Sequence, residues 1–284
     1  MMTDQELFSV TVRNGSGTLI APHYHDDALE FIEVVRGSAD VTVGLDTVRV
    51  PEGGIVHLLP GFVHFAVAAE ERECFVRVLT YRPRAPFSLD ALDDRFLSLY
   101  LLPISNRLVL FTDEHPLHAS LRAHMETAIS EWRGKELFHT SIILAEICHM
   151  MAAVLRSYGY NEEDSQEYRN MLRIEPTVAY IGASYAQKLR LEELASKLYL
   201  SPDHFGKLFR STIGLTPVDY INNVRVNAAM RYLAATDWGI AEISHASGFA
   251  NSNYFHKVFH DLTGIGPAAL RKRWRAMKNE EILR

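Results

Sequence analysis

Apolar and polar residues alternate with a period of two between residues 10 and 82, which is the period of a β-strand with one buried face. Short β-branched runs stand at Phe31–Val35, Ala39–Val43 and Phe75–Leu79. Clusters of Gly, Pro, Asn and Ser separate the runs. Several short strands with frequent turns predict a β-sandwich or a small barrel in this part of the chain.

The apolar spacing becomes helical after Pro86. One apolar stripe runs from Leu117 to Trp132 and a second from Ile143 to Val154, with Gly134 between them. Two adjacent helices of this length predict a helical hairpin. The stripes have two interpretations: they cover the barrel, or they form the seam of a dimer.

The last hundred residues contain an internal repeat. Leu191–Ala195 corresponds to Ile240–Ser244 at an offset of 49, and Phe205–Phe209 corresponds to Phe255–Phe259 at an offset of 50. Chance rarely places apolar residues, Gly and Pro at equivalent positions over this length. Each copy has the pattern of a helix-turn-helix, with a short apolar helix, a tight turn and a second helix whose outer face is polar.

The polar faces of the two second helices are the candidate DNA-contacting surface, because a compact helix of this kind fits the major groove. The candidate residues are Ser201, Asp203, His204, Lys207 and Arg210 in the first copy, and Asn251, Ser252, Asn253, His256 and Lys257 in the second. Ser201 and Asn251 are also placed to cap their helices. Gly248 supplies the positive φ that the second turn needs.

Three segments of this region resemble the AraC/XylS family of transcription regulators over about residues 174–275. They are the Gly-x-Thr-Pro-x-x-Tyr motif at Gly214–Tyr220, the linking helix at Val224–Leu233 and the second helix-turn-helix between Ile240 and Pro267. The resemblance implies two groove-reading motifs joined by one helix, which enter major-groove segments about 10 bp apart. It also implies a small-molecule effector, a homodimer, and RNA polymerase as a further partner.

Some positions differ from the family pattern. Ser244, Asn253 and Gly266 replace residues that the family usually has as Ala, Ser and Thr. Asp203 and Gly206 stand where base-reading side chains are expected, so direct readout by the first motif is expected to be weaker.

The charge is distributed unevenly. The net charge is −6, yet residues 170–284 carry 15 Lys and Arg against 10 Asp and Glu, while residues 1–169 carry 14 against 25. The basic part of the chain coincides with the repeat, which favours an anionic partner for that part alone.

The N-terminal region resembles the cupin barrels. The first motif is Gly17-x5-His23-x-His25-x4-Glu30-x6-Gly37, and the second is Gly54-x5-Pro60-Gly61-x2-His64, one residue short between Pro and Gly. His23, His25, Glu30 and His64 are the candidate ligand-binding residues. They are also a candidate site for Zn, Ni, Fe or Mn, which accept nitrogen and oxygen ligands. Three interpretations stay open: a polar rim for an organic effector, a metal site that helps to sense the effector, and ordinary structural histidines.

These patterns together predict an α+β protein of two domains. Residues 1–159 form a cupin-like effector-sensing and dimerisation domain, with a barrel over about 10–85 and helices over about 90–158. A polar linker covers 160–172, and 173–284 form an all-α DNA-binding domain with tandem helix-turn-helix motifs.

The predicted function is a cytoplasmic DNA-binding transcription regulator, not an enzyme, controlled by a small molecule such as a sugar. The alternatives are a metal-dependent cupin enzyme that carries a DNA-binding domain, and a constitutive DNA binder with an unused barrel. The composition, with 48% hydrophobic and 23% charged residues, excludes a wholly disordered chain.

Overall fold

The computed structural model describes residues 8–25, 28–44, 46–70, 72–82, 108–157 and 166–282. The chain forms two compact units, of which the first contains the strands and the first two helices and the second begins at the third helix. The described residues show an α+β fold with β-rich and all-helical parts, as predicted. No helix among them is long and apolar enough to cross a lipid bilayer.

The strands lie in two antiparallel sheets. In chain order they are β1 (Phe8–Gly15), β2 (Thr18–His23), β3 (Leu29–Arg36), β4 (Ala39–Val43), β5 (Asp46–Val50), β6 (Ile55–Leu58), β7 (His64–Ala68), β8 (Cys74–Tyr81) and β9 (Leu108–Phe111). One sheet has the order β1-β8-β3-β6-β9, and the other has the order β2-β7-β4-β5. Alternate apolar residues of both sheets, among them Ile32, Val41 and Val76, form one buried core. The period of two in the sequence therefore reflects a two-layer β-structure.

The helices follow in two groups. The first unit contains α1 (His118–Gly134) and α2 (His139–Ser157). The second contains α3 (Gln166–Ser184), α4 (Leu191–Ser196), α5 (Pro202–Ile213), α6 (Pro217–Ala235), α7 (Ile240–Ala246), α8 (Ser252–Thr263) and α9 (Pro267–Ile282).

The helical hairpin of α1 and α2 buries its apolar stripes within the chain, since Leu121, Met125, Ile143 and Ile147 are all 0–1% exposed. Ion pairs tie α1 to the five-stranded sheet. The Arg77 guanidinium lies 2.5 Å from Glu33 Oε2 on the sheet and 2.7 Å from Glu126 Oε2 on α1. The burial of the stripes within one chain is consistent with the first interpretation, and the dimer seam stays a prediction.

Two expectations need correction. β9 lies in the region where the sequence predicted only helices, because a four-residue apolar run has no distinctive period and its pairing with β6 defines it. Residues 166–172 of the predicted linker lie in α3. There Gln166 donates to Asn170 at 2.8 Å along the polar side, while the buried Met171 and Ile174 anchor the other side.

Two other predictions concern, in part, residues that the structure does not describe. Residues 90–107 of the predicted helical region and residues 160–165 of the predicted linker lie outside the described residues.

Candidate nucleic-acid interface and histidine cluster

The sequence repeat is a structural repeat of two helix-turn-helix units. α4 and α5 form the first, α7 and α8 form the second, and α6 joins them. α5 and α8 each contain 12 residues and start from a capped end. The Ser201 hydroxyl accepts from the His204 amide at 3.4 Å, and the Asn251 side chain accepts from the Tyr254 amide at 2.9 Å. The two caps predicted from the sequence are confirmed.

The same turn is built from different residues in the two units. Gly248 has φ +84°, as predicted, and its counterpart Tyr199 has φ +57°. A Cβ on Gly248 would lie 2.5 Å from the Tyr185 carbonyl oxygen, whereas the Tyr199 side chain is 97% exposed. The second turn therefore requires glycine for space as well as for conformation, and the first tolerates a side chain at a conformational cost.

Buried aromatic residues fix the orientation of both second helices. Phe205 and Phe209 of α5, and Phe255 and Phe259 of α8, are fully buried, and each pair makes an edge-to-face contact at 5.5 Å. This packing directs the opposite side of each helix outward. The ten candidate DNA-contacting residues are all exposed: Ser201, Asp203, His204, Lys207, Arg210, Asn251, Ser252, Asn253, His256 and Lys257.

The two outer faces differ in how their charged side chains are paired. On α5, Lys207 Nζ donates to Asp203 Oδ2 at 2.9 Å, and this bond holds the pKa of the exposed Asp203 carboxyl below its usual value. The first turn of α8 instead consists of Ser252, Asn253 and Tyr254. A carboxylate therefore stands among the candidate residues of α5 and none stands among those of α8.

Part of the positive charge of residues 170–284 has a structural role. Arg275 of α9 pairs with Asp237, and Lys278 Nζ donates to the Ala234 carbonyl at 2.6 Å. These contacts hold α9 against the end of α6 and the loop that follows it. Net positive charge in this segment is thus only partly available to an anionic partner.

Arg225 of α6 was not singled out from the sequence. Its Nε donates to the Tyr185 carbonyl and its Nη2 to the Gln187 carbonyl, both at 2.9 Å, and its guanidinium lies 5.7 Å from the centre of the Phe249 ring. It fixes the backbone that faces Gly248. An arginine in an amphipathic helix gives no sequence signal for such a role.

In the first unit, the four candidate ligand residues lie together. His23 of β2 stands opposite His64 of β7, and Glu30 lies on β3. One donor atom from each of His23, His25, Glu30 and His64 lies within 4.8 Å of all the others. His25 Nε2 is 3.0 Å from Glu30 Oε1, and His64 Nε2 is 3.0 Å from Glu30 Oε2. We call these residues the histidine quartet.

Backbone carbonyls set the orientation of two imidazoles. His23 Nδ1 lies 2.9 Å from the Ala21 carbonyl oxygen, and His64 Nδ1 lies 3.0 Å from that of Phe62. Because a carbonyl oxygen only accepts, each Nδ1 carries the proton, and each Nε2 has a lone pair when the ring is neutral. Thr80, not predicted from the sequence, donates to Glu30 Oε1 at 2.9 Å from a strand that follows far along the chain.

Each of the two units matches a model of a known protein family. A model of the AraC-like ligand-binding domain matches residues 10–145, and a model of a helix-turn-helix domain matches residues 194–273. The chain belongs to the AraC family.

Relatives of this AraC-family chain are regulators by name. It is 37% identical over 101 residues to the regulatory protein PocR of Salmonella typhimurium, covering 36% of this chain and 33% of PocR. It is 21% identical over 269 residues to the uncharacterized HTH-type transcriptional regulator YdeC of Bacillus subtilis, covering 93% and 90%. The match to PocR thus spans a third of that protein's length.

The fold is that of a solved structure of fatty acid-bound ToxT from Vibrio cholerae. The TM-score is 0.53 at 16% identity, and the match covers 95% of this chain and 97% of ToxT. At this identity the likeness concerns the fold alone.

The donor set of the AraC-like ligand-binding domain fits a divalent transition metal. Glu30 Oε2 and His64 Nε2 are buried, and among the described residues each faces only the other, 3.0 Å away. If His64 is neutral, two lone pairs face each other there, so a proton or a cation must lie between them. Imidazole nitrogens oriented by backbone carbonyls are typical of metal ligands.

Burial and charge act in opposite directions within the quartet. Burial, with His64 nearby, lowers the pKa of His23 to about 4. Burial alone would raise the pKa of Glu30, but hydrogen bonds from His25 and His64 hold it well below its usual value. Burial likewise opposes the charged form of His64, yet the Glu30 carboxylate raises its pKa. Glu30 is therefore an anion that attracts positive charge to this point.

Proposed function

We propose that this AraC-family chain is a sequence-specific DNA-binding transcription regulator that a small molecule controls through the N-terminal unit. The observation that carries the proposal is the pair of helix-turn-helix units with buried aromatic residues on one side of α5 and α8 and ten exposed polar residues on the other. Exposed Asn and Lys side chains on such helices can pair with adenine and with guanine or phosphate.

The two motifs contribute unequally to base recognition in this proposal. Lys207 of α5 is engaged by Asp203, whose carboxylate also repels phosphate. Lys257 and Asn253 of α8 are exposed and extend from a helix that begins without a carboxylate in its described first turn. We therefore assign most of the base readout to α8 and mainly positioning to α5.

The effector binds at the histidine quartet in this proposal. The quartet brings one carboxylate and three imidazoles together in the N-terminal unit, a combination that suits a small polar metabolite such as a sugar. The same side chains would hold a divalent metal, which would supply a Lewis-acidic contact for the effector. The protein's own contribution is to orient His23 and His64 and to keep Glu30 ionised.

The proposed homodimer uses the tip of the helical hairpin, since the helical stripes are already buried. Leu137 and Phe138, in the turn between α1 and α2, are 82% and 70% exposed, and Ile142 nearby is also exposed. A second copy of the chain is the partner that such an apolar tip fits.

DNA binding tests the main proposal. Fluorescence anisotropy with duplexes from the chain's own promoter region should show specific binding that weakens with salt, with a slope in log K of about −0.9 for each phosphate contacted. Asn253→Ala and Lys257→Ala should each reduce specific binding by about 5–150-fold, because removing a side chain that reads a base costs about 1–3 kcal/mol.

Lys188→Ala is the matched control, because Lys188 is exposed in the same unit but lies outside α5 and α8. Specific binding that is equally strong in wild type and in both α8 variants would refute the assignment of α8 as the reading helix.

A metal-dependent enzyme is the second candidate, favoured only by the metal-compatible donor set of the quartet. It predicts turnover of a small polar substrate that His25→Ala abolishes while DNA binding persists. Metal analysis of wild type and of His64→Ala, both purified without a nickel column, separates the two roles of the quartet. A stoichiometric first-row metal that His64→Ala lacks supports a metal-assisted site, and its absence from wild type supports direct contact with the effector.

A further inference from the structure

A second cluster of metal-ligating side chains lies on the helical hairpin, away from the quartet in sequence and not considered in the sequence analysis. It consists of His124 on α1 and of Glu146 and His149 on α2, and one donor atom from each lies within 4.8 Å of the others. We propose that these three residues, the hairpin triad, form a second binding site for a divalent transition metal, with Zn²⁺ the best match.

The geometry brings the three donors together on rigid elements. Glu146 and His149 are three residues apart, which places them on one face of α2. His124 Nδ1 lies 2.5 Å from Glu146 Oε2, and the His124 and His149 rings are 4.6 Å apart. The ligand positions are thus fixed by the packing of the hairpin, whose fully buried residues bracket the triad along both helices. These are Leu121, Met125, Ile147 and Met150.

The chemistry of the triad favours a cation over an ordinary ion pair. A single carboxylate can pair with one protonated imidazole, but two imidazoles this close repel each other when both are charged. A divalent ion satisfies two neutral imidazoles and one carboxylate together, and two nitrogens with one oxygen is a ligand set found in zinc sites. A bound ion would also join α1 to α2.

Access distinguishes the triad from the quartet. The side chains of His124 and Glu146 are 27% and 17% exposed, and His149 is exposed, so an ion can enter from solvent and keep water ligands. The proposal does not depend on the effector site or on DNA binding, because it concerns different side chains.

The test is a calorimetric titration of the full, chelator-treated chain with Zn²⁺, repeated with Co²⁺ for its visible absorption. His149→Ala and Glu146→Gln should weaken one class of site by at least about tenfold, the loss that even an outer-shell change can cause. Glu136→Gln is the matched control, because Glu136 is an exposed carboxylate in the turn of the same hairpin and its replacement removes the same charge. His64→Ala reports on the quartet.

The expected result is a site that is lost in His149→Ala and Glu146→Gln and retained in Glu136→Gln and in His64→Ala. Zn²⁺ should also raise the thermal unfolding midpoint of wild type through this site, an effect absent in His149→Ala. Equal zinc affinity and stoichiometry in wild type, His149→Ala and Glu146→Gln would overturn the proposal. So would loss of every zinc site in His64→Ala, because the metal would then belong to the quartet.

Discussion

Replacing Gly248 by alanine tests the steric account of the second turn. The new Cβ would lie 2.5 Å from the Tyr185 carbonyl oxygen, 2.8 Å from Ala186 Cα and 3.0 Å from Arg225 Nε. The carbonyl cannot retreat freely, because Arg225 Nε donates to it at 2.9 Å. Relief therefore requires movement of the backbone before α4, of Arg225, or of the turn itself.

The expected cost of Gly248→Ala has two parts. A left-handed conformation costs a non-glycine residue about 1–2 kcal/mol. Overpacking against fixed neighbours typically costs about 1–3 kcal/mol. Alanine offsets up to about 1 kcal/mol of this cost, because it leaves the unfolded chain less conformational freedom than glycine does. The net loss in the free energy of unfolding should therefore be about 3 kcal/mol.

Tyr199→Gly should have the opposite sign. Tyr199 has φ +57° and an exposed side chain, so glycine relieves about 1–2 kcal/mol of strain and gives up little packing. The larger conformational freedom of glycine in the unfolded chain offsets about 0.5–1 kcal/mol of that gain. A small net stabilisation of about 0.5–1 kcal/mol should remain.

Urea unfolding followed by tryptophan fluorescence measures both changes. The chain has three tryptophans, and in a Trp132→Phe background the remaining Trp238 and Trp274 both report on the second unit. At a slope of about 1–3 kcal/mol per molar urea, Gly248→Ala should lower the midpoint by about 1–3 M.

Gly206→Ala is the control, because Gly206 is inside α5 and a Cβ there meets no described atom within 4 Å. It should stabilise by about 0.5–1 kcal/mol. A Gly248→Ala variant within about 0.5 kcal/mol of wild type, which is the spread of an ordinary surface substitution, would refute the reasoning at the second turn. A Tyr199→Gly variant that is clearly destabilised would refute it at the first.

Three further predictions concern other parts of the chain. His57 is fully buried against the Phe31 ring, its nitrogens hydrogen-bond to no described residue, and burial lowers its pKa to about 3. As the pH falls below about 6.5, His57 therefore takes up a proton in the unfolded chain but not in the folded chain. Between about pH 7.5 and pH 5, the free energy of unfolding of wild type should therefore fall by about 2 kcal/mol because of His57. In paired denaturation curves, the fall for His57→Leu should be about 2 kcal/mol smaller than for wild type. Asp203→Asn should strengthen nonspecific duplex binding and steepen its salt dependence in anisotropy titrations, because it removes a negative charge and releases Lys207; unchanged affinity and slope would place α5 away from DNA. Leu137→Glu should shift the proposed dimer towards monomer in sedimentation experiments, whereas Val218→Glu, at an exposed apolar site in the second unit, should not; equal behaviour of the two variants would contradict the proposed interface.

The repeat shows how far sequence reasoning reaches. The offsets, the caps at Ser201 and Asn251, and the buried Phe pairs all follow from local spacing, and local spacing can be read from one sequence. The positive φ of Tyr199 cannot be read in this way, because a tyrosine gives no sign of a left-handed backbone. Its place in the turn is visible only through its counterpart Gly248, whose neighbours forbid any side chain.

Long-range contacts account for the rest of what the sequence does not predict. His23, His25 and Glu30 could be grouped because they lie close together in sequence, and a known motif added His64. Thr80 completes that group from β8 and matches no such motif.

The hairpin triad was missed for the same physical reason. Glu146 and His149 have the spacing of two ligands on one helix face, but His124 joins them only through the packing of α1 against α2.

The His64–Glu30 contact poses a choice that one measurement can resolve. Their facing atoms lie 3.0 Å apart, and a proton or a metal ion must lie between them. In both cases Nδ1 stays protonated, because it lies 3.0 Å from the Phe62 carbonyl oxygen. Nitrogen chemical shifts of His64 should show a doubly protonated ring in metal-free protein and, if the quartet binds zinc, a ring with Nε2 metallated and Nδ1 protonated. A His64 ring without a proton on Nδ1 would contradict the geometry on which both roles of the quartet depend.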